Sequence, residues 1–481
     1  SWLMSVEPFQ QDRAAWDIDL IRRYNVPGPR YTSYPTANVF DERFSGDDYL
    51  ALADHPRERS SIAPLSLYVH IPFCRRACHY CACNKLVTRK RSLVIAYLDA
   101  VATELAMRGA LHGQRPVTQL HWGGGTPTYL DEAELTELMH HIASHFRTTR
   151  QESREYSIEI DPRTVQEDTI ALLRGLGFNR ISMGIQDFDP HVQAAINRTQ
   201  SPELVGRLVE CVRKHRFKSL SFDLIYGLPC QNRRSFGHTV AEVIALAPDR
   251  ISLYNYAHLP DSFRNQRAIN ASSLPGAEEK LAILDDAGHA LLQAGYVYIG
   301  MDHFVRPDDE LSLARERGRL QRNFQGYSTC LSDDLIGVGP SSISLFAGSF
   351  SQNCRDLDGW VRQLQDKRLP IERGWRMDTE DLLRRDIIMS LACQLTLDIA
   401  QLEATHRIDF HGRFQPQLAQ LKALAADGLL TLSPDRIEIT GQGRLLLRNI
   451  CMVFDEYLQN DRQPRFSRTL YVPRAQTIVS L

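Results

Sequence analysis

Nowhere in the 481 residues does an apolar run approach the roughly 18 residues that a membrane-spanning helix needs. The first residues hold no secretory apolar core, and Glu7, Asp12, Asp17 and Asp19 do not suit an organelle transit peptide. No membrane association is expected. An excess of charge of one sign is also lacking: 56 basic against 58 acidic residues leave a formal charge of −2. That argues against a chain that coats nucleic acid. There is no repeat of fixed period and no low-complexity tract. A disulfide framework is missing too, because Cys211, Cys230, Cys330, Cys354, Cys393 and Cys451 stand singly and read as buried or incidental thiols. Cysteine used this way fits a reducing compartment, and the cytoplasm is the expected location.

The other four cysteines fall within ten residues, Cys74-Arg-Arg-Ala-Cys78-His-Tyr-Cys81-Ala-Cys83, directly after the apolar run 65–71. The C-x3-C-x2-C spacing of Cys74, Cys78 and Cys81 lets one loop place thiolates at the corners of a four-iron cube, with one iron left open for another ligand. A tetrahedral zinc site is the alternative, but structural zinc usually takes two separated knuckles and no second one exists here. If Cys83 were also a ligand, no iron would stay open.

The length implies two or three units. From 65 to about 304, short β-rich runs (65–71, 117–122, 155–160, 180–186, 219–228, 250–257) alternate with helical patterns (92–110, 131–146, 164–176, 189–197 with 201–217, 235–246, 276–295). This is the pattern of parallel βα units. Asp131 with Glu134 resembles a capping box. A further run at 296–304 is expected to pair outside the parallel set. Six units are too few to close an eight-stranded barrel, so the expected fold is α/β, a partial (β/α)6 TIM-like barrel with ligands at the C-terminal strand ends. Cys74, Gly123 to Thr126, Glu159, Gln186, Asp223 and Ala257 fall at or just past those ends. The expected division is an N-terminal extension or substrate flap at 1–60, the barrel at 61–350, a mainly helical C-terminal domain at 351–470, and a tail at 471–481. In the C-terminal part, helical patterns at 381–396 and 413–427, a hairpin around Ser433-Pro434-Asp435 and a last helix at 441–459 suggest a winged-helix-like module. Without a positive excess, packing or lid duty is the expected role.

Gly123-Gly124-Gly125-Thr126-Pro127 follows a strand and precedes a helix, so its backbone can approach a ligand closely. The Lys-Ser/Thr that would end a phosphate loop is absent. Arg75, Arg76, Lys85, Arg89, Lys90 and Arg91 concentrate positive charge around the cysteine loop, either as a solvated face or as a landing site for an acidic electron donor. Arg30, within Pro29-Arg-Tyr-Thr-Ser-Tyr-Pro35, and His303 and Arg306, in and after Gly300-Met-Asp-His-Phe304, are polar islands in structural settings.

Three cysteines at this spacing, with Tyr80 before the last, resemble the radical S-adenosylmethionine (SAM) enzymes. Along almost its whole length the chain resembles the family of oxygen-independent coproporphyrinogen III oxidases of haem biosynthesis. The likeness is carried by PGPRYTSYPTA, LSLYVHIPFC, CNKLVTR, LHWGGGTPTYL, SIEIDPR, RISMGIQDF, DLIYGLP, NYAHLP, GMDHF, RNFQGY and RNICMVFDEYL. It implies a [4Fe-4S] cluster on Cys74, Cys78 and Cys81, with Cys83 nearby but not a ligand. It implies two SAM molecules, contacted by Tyr68, Tyr80, Gly124, Gly125, Thr126, Glu159, Gln186, Arg198, Asp223, Ala257 and Ile343. The implied reaction is the oxidative decarboxylation, without oxygen, of the ring A and B propionates of coproporphyrinogen III to the vinyl groups of protoporphyrinogen IX. A flavodoxin-like low-potential donor and a monomeric chain go with it. A substrate with four carboxylates needs cationic partners, for which Arg30, Arg306 and His303 are the candidates. Two other readings stay within the superfamily, a haem-carrying relative and a haem-degrading methyltransferase. The carriers lack the fourth cysteine and the Pro-Arg-Tyr-Thr-Ser-Tyr-Pro stretch, and both are present here.

Overall fold

The seven residues Leu65–Ile71 (β1) are all buried, as a strand must be when it has neighbours on both edges and cover on both faces. The computed structural model describes residues 16–26, 28–54, 63–330 and 332–459. The expected tail at 471–481 and the first part of the expected N-terminal extension lie outside them. From β1 the sheet continues in parallel through Pro116–Gly124 (β2), Glu155–Ile160 (β3), Arg180–Gln186 (β4), Ser219–Tyr226 (β5) and Arg250–Asn255 (β6). Helices Arg91–His112, Glu132–His145, Glu167–Gly175, Pro190–Ala195 with Pro202–Lys214, and Arg233–Leu246 connect them, and Ala277–Gln293 follows β6. The Asp131 capping box forms as expected, the Asp131 side chain accepting from the Glu134 N–H and the Glu134 side chain from that of Asp131. This is the partial βα barrel read from the sequence.

The sheet is wider than those six strands. Past β6, Val297–Gly300 (β7) and His303–Val305 (β8) form a hairpin whose second strand lies antiparallel to β6. On the other side of β1, Leu335–Val338 (β9) joins in parallel, followed by the antiparallel strands Ile343–Phe346 (β10), Ser349–Asn353 (β11) and Ile371–Arg376 (β12). The sheet therefore runs on past residue 350 to Arg376.

The described part of the N-terminal extension is packed onto the body. The Asp41 and Gly374 backbones exchange hydrogen bonds of 2.8 and 2.9 Å, Phe40 stacks on Phe350, and the Tyr31 hydroxyl donates to Asp455 at 2.8 Å. After Arg376 come Thr379–Gln394, Thr396–Asp398, Ile399–His406, Gln415–Ala426, Leu430–Leu432 and Arg436–Ile439, with the three short strands paired antiparallel. That order of helices and strands is the winged-helix arrangement. The hairpin turns at Ser433-Pro434-Asp435 as expected. The single helix expected at 441–459 is instead broken into Gly441–Arg444, Leu447–Met452 and a short turn at Glu456–Gln459. Leu446, Leu447, Ile450 and Phe454 sit in the same apolar core as the barrel, consistent with a packing role for this module.

Candidate active site

The loop after β1 is fastened at its base before it reaches the cysteines. Phe73–Cys74 pairs in parallel with Leu86–Val87, the Leu86 N–H donates to the Pro72 carbonyl at 2.7 Å, and the Thr88 N–H donates to the Cys74 carbonyl at 3.2 Å. At its far side the His79 N–H donates to the Ile196 carbonyl, and the Asn197 and Gln266 amides donate to the carbonyls of Ala77 and Tyr80. A ten-residue loop held at both ends can present several thiols in one direction.

Those thiols line a cavity of about 540 Å³ at the C-terminal ends of the parallel strands. Its wall contains Cys74, Cys78, Tyr80, Cys81, Cys83, Gly124, Gly125, Thr126, Glu159, Gln186, Arg198 and Asp223. Twelve of the residues singled out in the sequence are thus brought together. The glycines are there for close approach. Gly124 has φ +118°, and a Cβ on it would lie 2.7 Å from the Ile71 carbonyl oxygen; a Cβ on Gly125 would lie 2.7 Å from that of Phe73. Their backbone is pressed against the end of β1, and the Gly125 and Thr126 N–H groups donate to the carbonyls of Ile71 and Phe73.

Of the three acids in the cavity wall, Glu159, Asp161 and Asp223, the first two sit in different electrostatic settings. Glu159 Oε1 lies 3.1 Å from His121 Nε2, and the other face of that arrangement is Tyr68, whose ring stacks on His121 at 6.0 Å. Tyr68 therefore acts behind the wall, orienting the histidine that orients Glu159. Asp161 accepts from Arg163 at 2.6 Å and faces Arg198 Nη1 at 3.5 Å. Burial resists its charge, yet Arg198 and Arg163 hold its carboxyl down at about 2. The same two guanidiniums reach Cys78 Sγ, at 3.6 Å from Arg163 and 3.7 Å from Arg198.

The fourth cysteine differs from its neighbours. The hydrogen bond between the Cys81 and Cys83 side chains holds the Cys81 thiol well below its ordinary range and pushes Cys83 well above it. Burial pushes Cys74 up to about 12.

The donor set fits an iron-sulfur cluster with an organic ligand beside it. Three thiols share one wall with positive groups behind them, and Gln186 Oε1 is buried in the cavity with no hydrogen-bond partner. Gln186 has φ +65°, and a Cβ on Gly184 would lie 2.8 Å from its Nε2. An orphaned acceptor beside a cradle of this kind awaits a polar ligand. Among the described residues no three His, Cys, Asp or Glu side chains are grouped so as to hold a single metal ion.

The remaining expected residues lie elsewhere. Ile343 is in a small apolar cluster with Tyr68, Phe324 and Phe40, and Ala257 follows the end of β6. Arg30 and His303 meet each other, with Arg30 Nη2 3.4 Å from both His303 Nε2 and the hydroxyl of Tyr254, a cavity residue. Arg306 is not brought to the site. Because β8 runs antiparallel to β6, Arg306 lies beside Asp249, at the end of the sheet away from the cavity, and is exposed. Residues not singled out also contribute. Asp161 and Arg163 stand in the Ile-Asp-Pro-Arg stretch at the end of β3, where strand-end position was the available signal. Arg322 and Arg448, buried next to Arg30, open the RNFQGY and RNICMVFDEYL stretches, which are not among the expected substrate contacts.

The chain matches the radical SAM superfamily over residues 68–243 and the HemN C-terminal domain over 377–446. It is similar to the oxygen-independent coproporphyrinogen III oxidases of Pseudomonas aeruginosa, at 48% identity over 95% of this chain and 100% of that protein, and of Escherichia coli, at 46% over 95% and 98%. A solved structure described as coproporphyrinogen III oxidase (HemN) from Escherichia coli, a radical SAM enzyme, superposes with a TM-score of 0.87. It is 44% identical, covering 92% of this chain and 99% of that one.

Proposed function

The chain belongs to the family of oxygen-independent coproporphyrinogen III oxidases within the radical SAM superfamily, and from that premise we propose how its residues divide the work. It is an enzyme of haem biosynthesis. Without oxygen it converts the ring A and B propionates of coproporphyrinogen III to vinyl groups with release of CO2, giving protoporphyrinogen IX. The observation that carries this reading is the convergence of three thiols, the glycine-lined strand end and the Glu159, Gln186 and Asp223 side chains on one cavity.

Cys74, Cys78 and Cys81 would hold a [4Fe-4S] cluster, which when bound supplies the electron that splits SAM into methionine and a 5′-deoxyadenosyl radical. Glu159, fixed by His121, and Asp223 accept from the ammonium or ribose hydroxyls of SAM. Gln186 Oε1 takes a further SAM donor, and Gly124 to Thr126 let the backbone approach without a side chain in the way. Burial of the strand ends keeps water from the reacting carbon. We assign two SAM molecules per chain. The family resemblance supports that count.

Arg30 would take a propionate, since its guanidinium sits over the ring of Tyr254, which borders the cavity, at 4.6 Å from the centroid. An acidic flavodoxin-like donor would dock on Arg75, Arg76, Arg89 and Arg91, which line an open groove with Tyr129 beside the cysteine loop. A monomeric chain goes with the family resemblance. Free cysteines throughout and the absence of any described helix long and apolar enough to cross a membrane support a cytoplasmic setting.

The test is an anaerobic assay of reconstituted protein with SAM, reductant and coproporphyrinogen III. Two CO2 and two 5′-deoxyadenosines per protoporphyrinogen are expected. A haem carrier would give neither, a methyltransferase would give an opened tetrapyrrole, and one deoxyadenosine per two CO2 would remove the two-SAM count.

A further inference from the structure

The cavity wall holds one basic side chain with no part in the account above. Lys85 belongs to the same basic run as Arg75, Arg76, Arg89, Lys90 and Arg91, but those five are exposed and Lys85 is not. Its Nζ is closed off from solvent, and no oxygen accepts a hydrogen bond from it. The backbone on either side fixes that direction. The Asn84 carbonyl accepts from His70 Nε2 at 2.9 Å, the Asn84 amide donates to the Arg355 carbonyl at 2.8 Å, and the Leu86 N–H is tied to Pro72. Held between two anchored residues, the Lys85 side chain crosses the inside of the loop and faces Cys81, Cys83, Cys74 and Cys78.

A lysine that only solubilises a loop stays in water. Burying its charge is costly unless a negative group compensates. Arg163 and Arg198 also approach Cys78, but both are shared with Asp161. Lys85 has no carboxylate paired with it among the described residues, so its compensation has to come from the thiolates and whatever they hold.

Resting on the assignment of these thiols as cluster ligands, we propose that Lys85 sets the reduction potential of the cluster. Its ammonium stabilises the one-electron-reduced form over the oxidised form. The electron comes from the low-potential donor protein, the cluster gains one negative charge, and Lys85 stays protonated throughout. A fixed positive charge inside a cavity with little water acts on that added charge with little screening.

The test uses anaerobically reconstituted full-length protein without substrate: wild type, Lys85→Gln and Lys85→Arg, each titrated with reductant and followed by the electron paramagnetic resonance of the reduced cluster. That signal counts only loaded molecules, so partial loading does not hide the result. Lys85→Gln should lower the reduced-to-oxidised ratio at a given poise at least tenfold, which is 59 mV for one electron. Lys85→Arg, keeping the charge, should stay within threefold of wild type. A lysine with only a structural role would shift the melting temperature and leave the midpoint where it was. The proposal is overturned if Lys85→Gln titrates with the wild-type midpoint, or if Lys85→Arg moves as far as Lys85→Gln. A wild-type protein that takes up no four-iron cluster would bring down the underlying ligand assignment, and this proposal with it.

Discussion

Arg30 Nη2 lies 3.4 Å from His303 Nε2, so a residue that precedes the first strand touches the hairpin that follows the sixth. Behind them Asp302 faces Arg30 at 4.0 Å and Arg448 at 3.5 Å, and Arg322 donates to the Arg30 and Tyr31 carbonyls while its Nη1 has no partner. Three buried guanidiniums gather around one carboxylate, a cationic setting that suits a propionate. Arg30→Ala should therefore raise the KM for coproporphyrinogen about tenfold to a hundredfold, since a charge-assisted contact contributes roughly 1.5 to 3 kcal/mol. Iron content and substrate-free SAM cleavage should stay at wild-type levels. An unchanged KM would remove Arg30 from the substrate site.

The C-x3-C-x2-C spacing, which leaves Cys83 over, gives a second expectation. Alanine at Cys74, Cys78 or Cys81 should abolish four-iron binding, measured by iron and sulfide content and by visible absorption. Cys83→Ala should keep the cluster. Loss of iron in Cys83→Ala as complete as in Cys78→Ala would show that Cys83 is a ligand.

Adjacent glycines should respond differently. Gly124→Ala must hold φ +118° with a Cβ 2.7 Å from a carbonyl oxygen, at a cost of roughly 1 to 3 kcal/mol, and should lower both the melting temperature and iron loading. Gly123→Ala meets Glu159 Oε2 at 3.1 Å instead, and so should weaken SAM binding while the protein stays folded. Calorimetry and SAM titration of the two variants would show whether the effects separate in this way.

His70 supplies a pH dependence. Its Nε2 donates to the Asn84 carbonyl at 2.9 Å and its Nδ1 accepts from the Tyr68 hydroxyl at 3.1 Å, which leaves no room for a second ring proton. Burial lowers its pKa to about 4 from 6.5. Between those values the unfolded chain binds the proton and the folded one does not. The stabilisation is therefore whole above 6.5 and falls away toward pH 4, by about 3 kcal/mol at most. Subtracting urea midpoints of His70→Gln from wild type across that range should give a slope, and a flat difference would refute the assignment.

Much of this was legible in the sequence, for reasons that differ by element. The six parallel strands and their helices appear because each βα unit repeats a local periodicity, and the cysteine loop because its spacing is local as well. The strand Leu335–Val338 escaped notice: four residues give no period, and what makes them a strand is a partner some 270 positions earlier. Arg306 was misplaced because 296–304 reads as one run. The chain actually reverses at Met301 and Asp302, both with positive φ, in a two-residue turn that lacks the Asn-Gly signature. Lys85 is indistinguishable from its basic neighbours until the loop is closed around it.

The parallel pairing of β1 with Leu335–Val338 also bears on when the strand that carries the cysteine loop is enclosed. During synthesis the cysteine loop emerges early, but one flank of the strand that carries it stays an open edge until residue 338 has been made. Before then β1 has only β2 beside it, although the local base of the loop, Phe73–Cys74 against Leu86–Val87, has already been made. The strand that carries the cysteine loop therefore gains its second neighbour only when the sheet is complete, and a chain stopped short of residue 335 would present the three thiols on a strand paired along one edge alone.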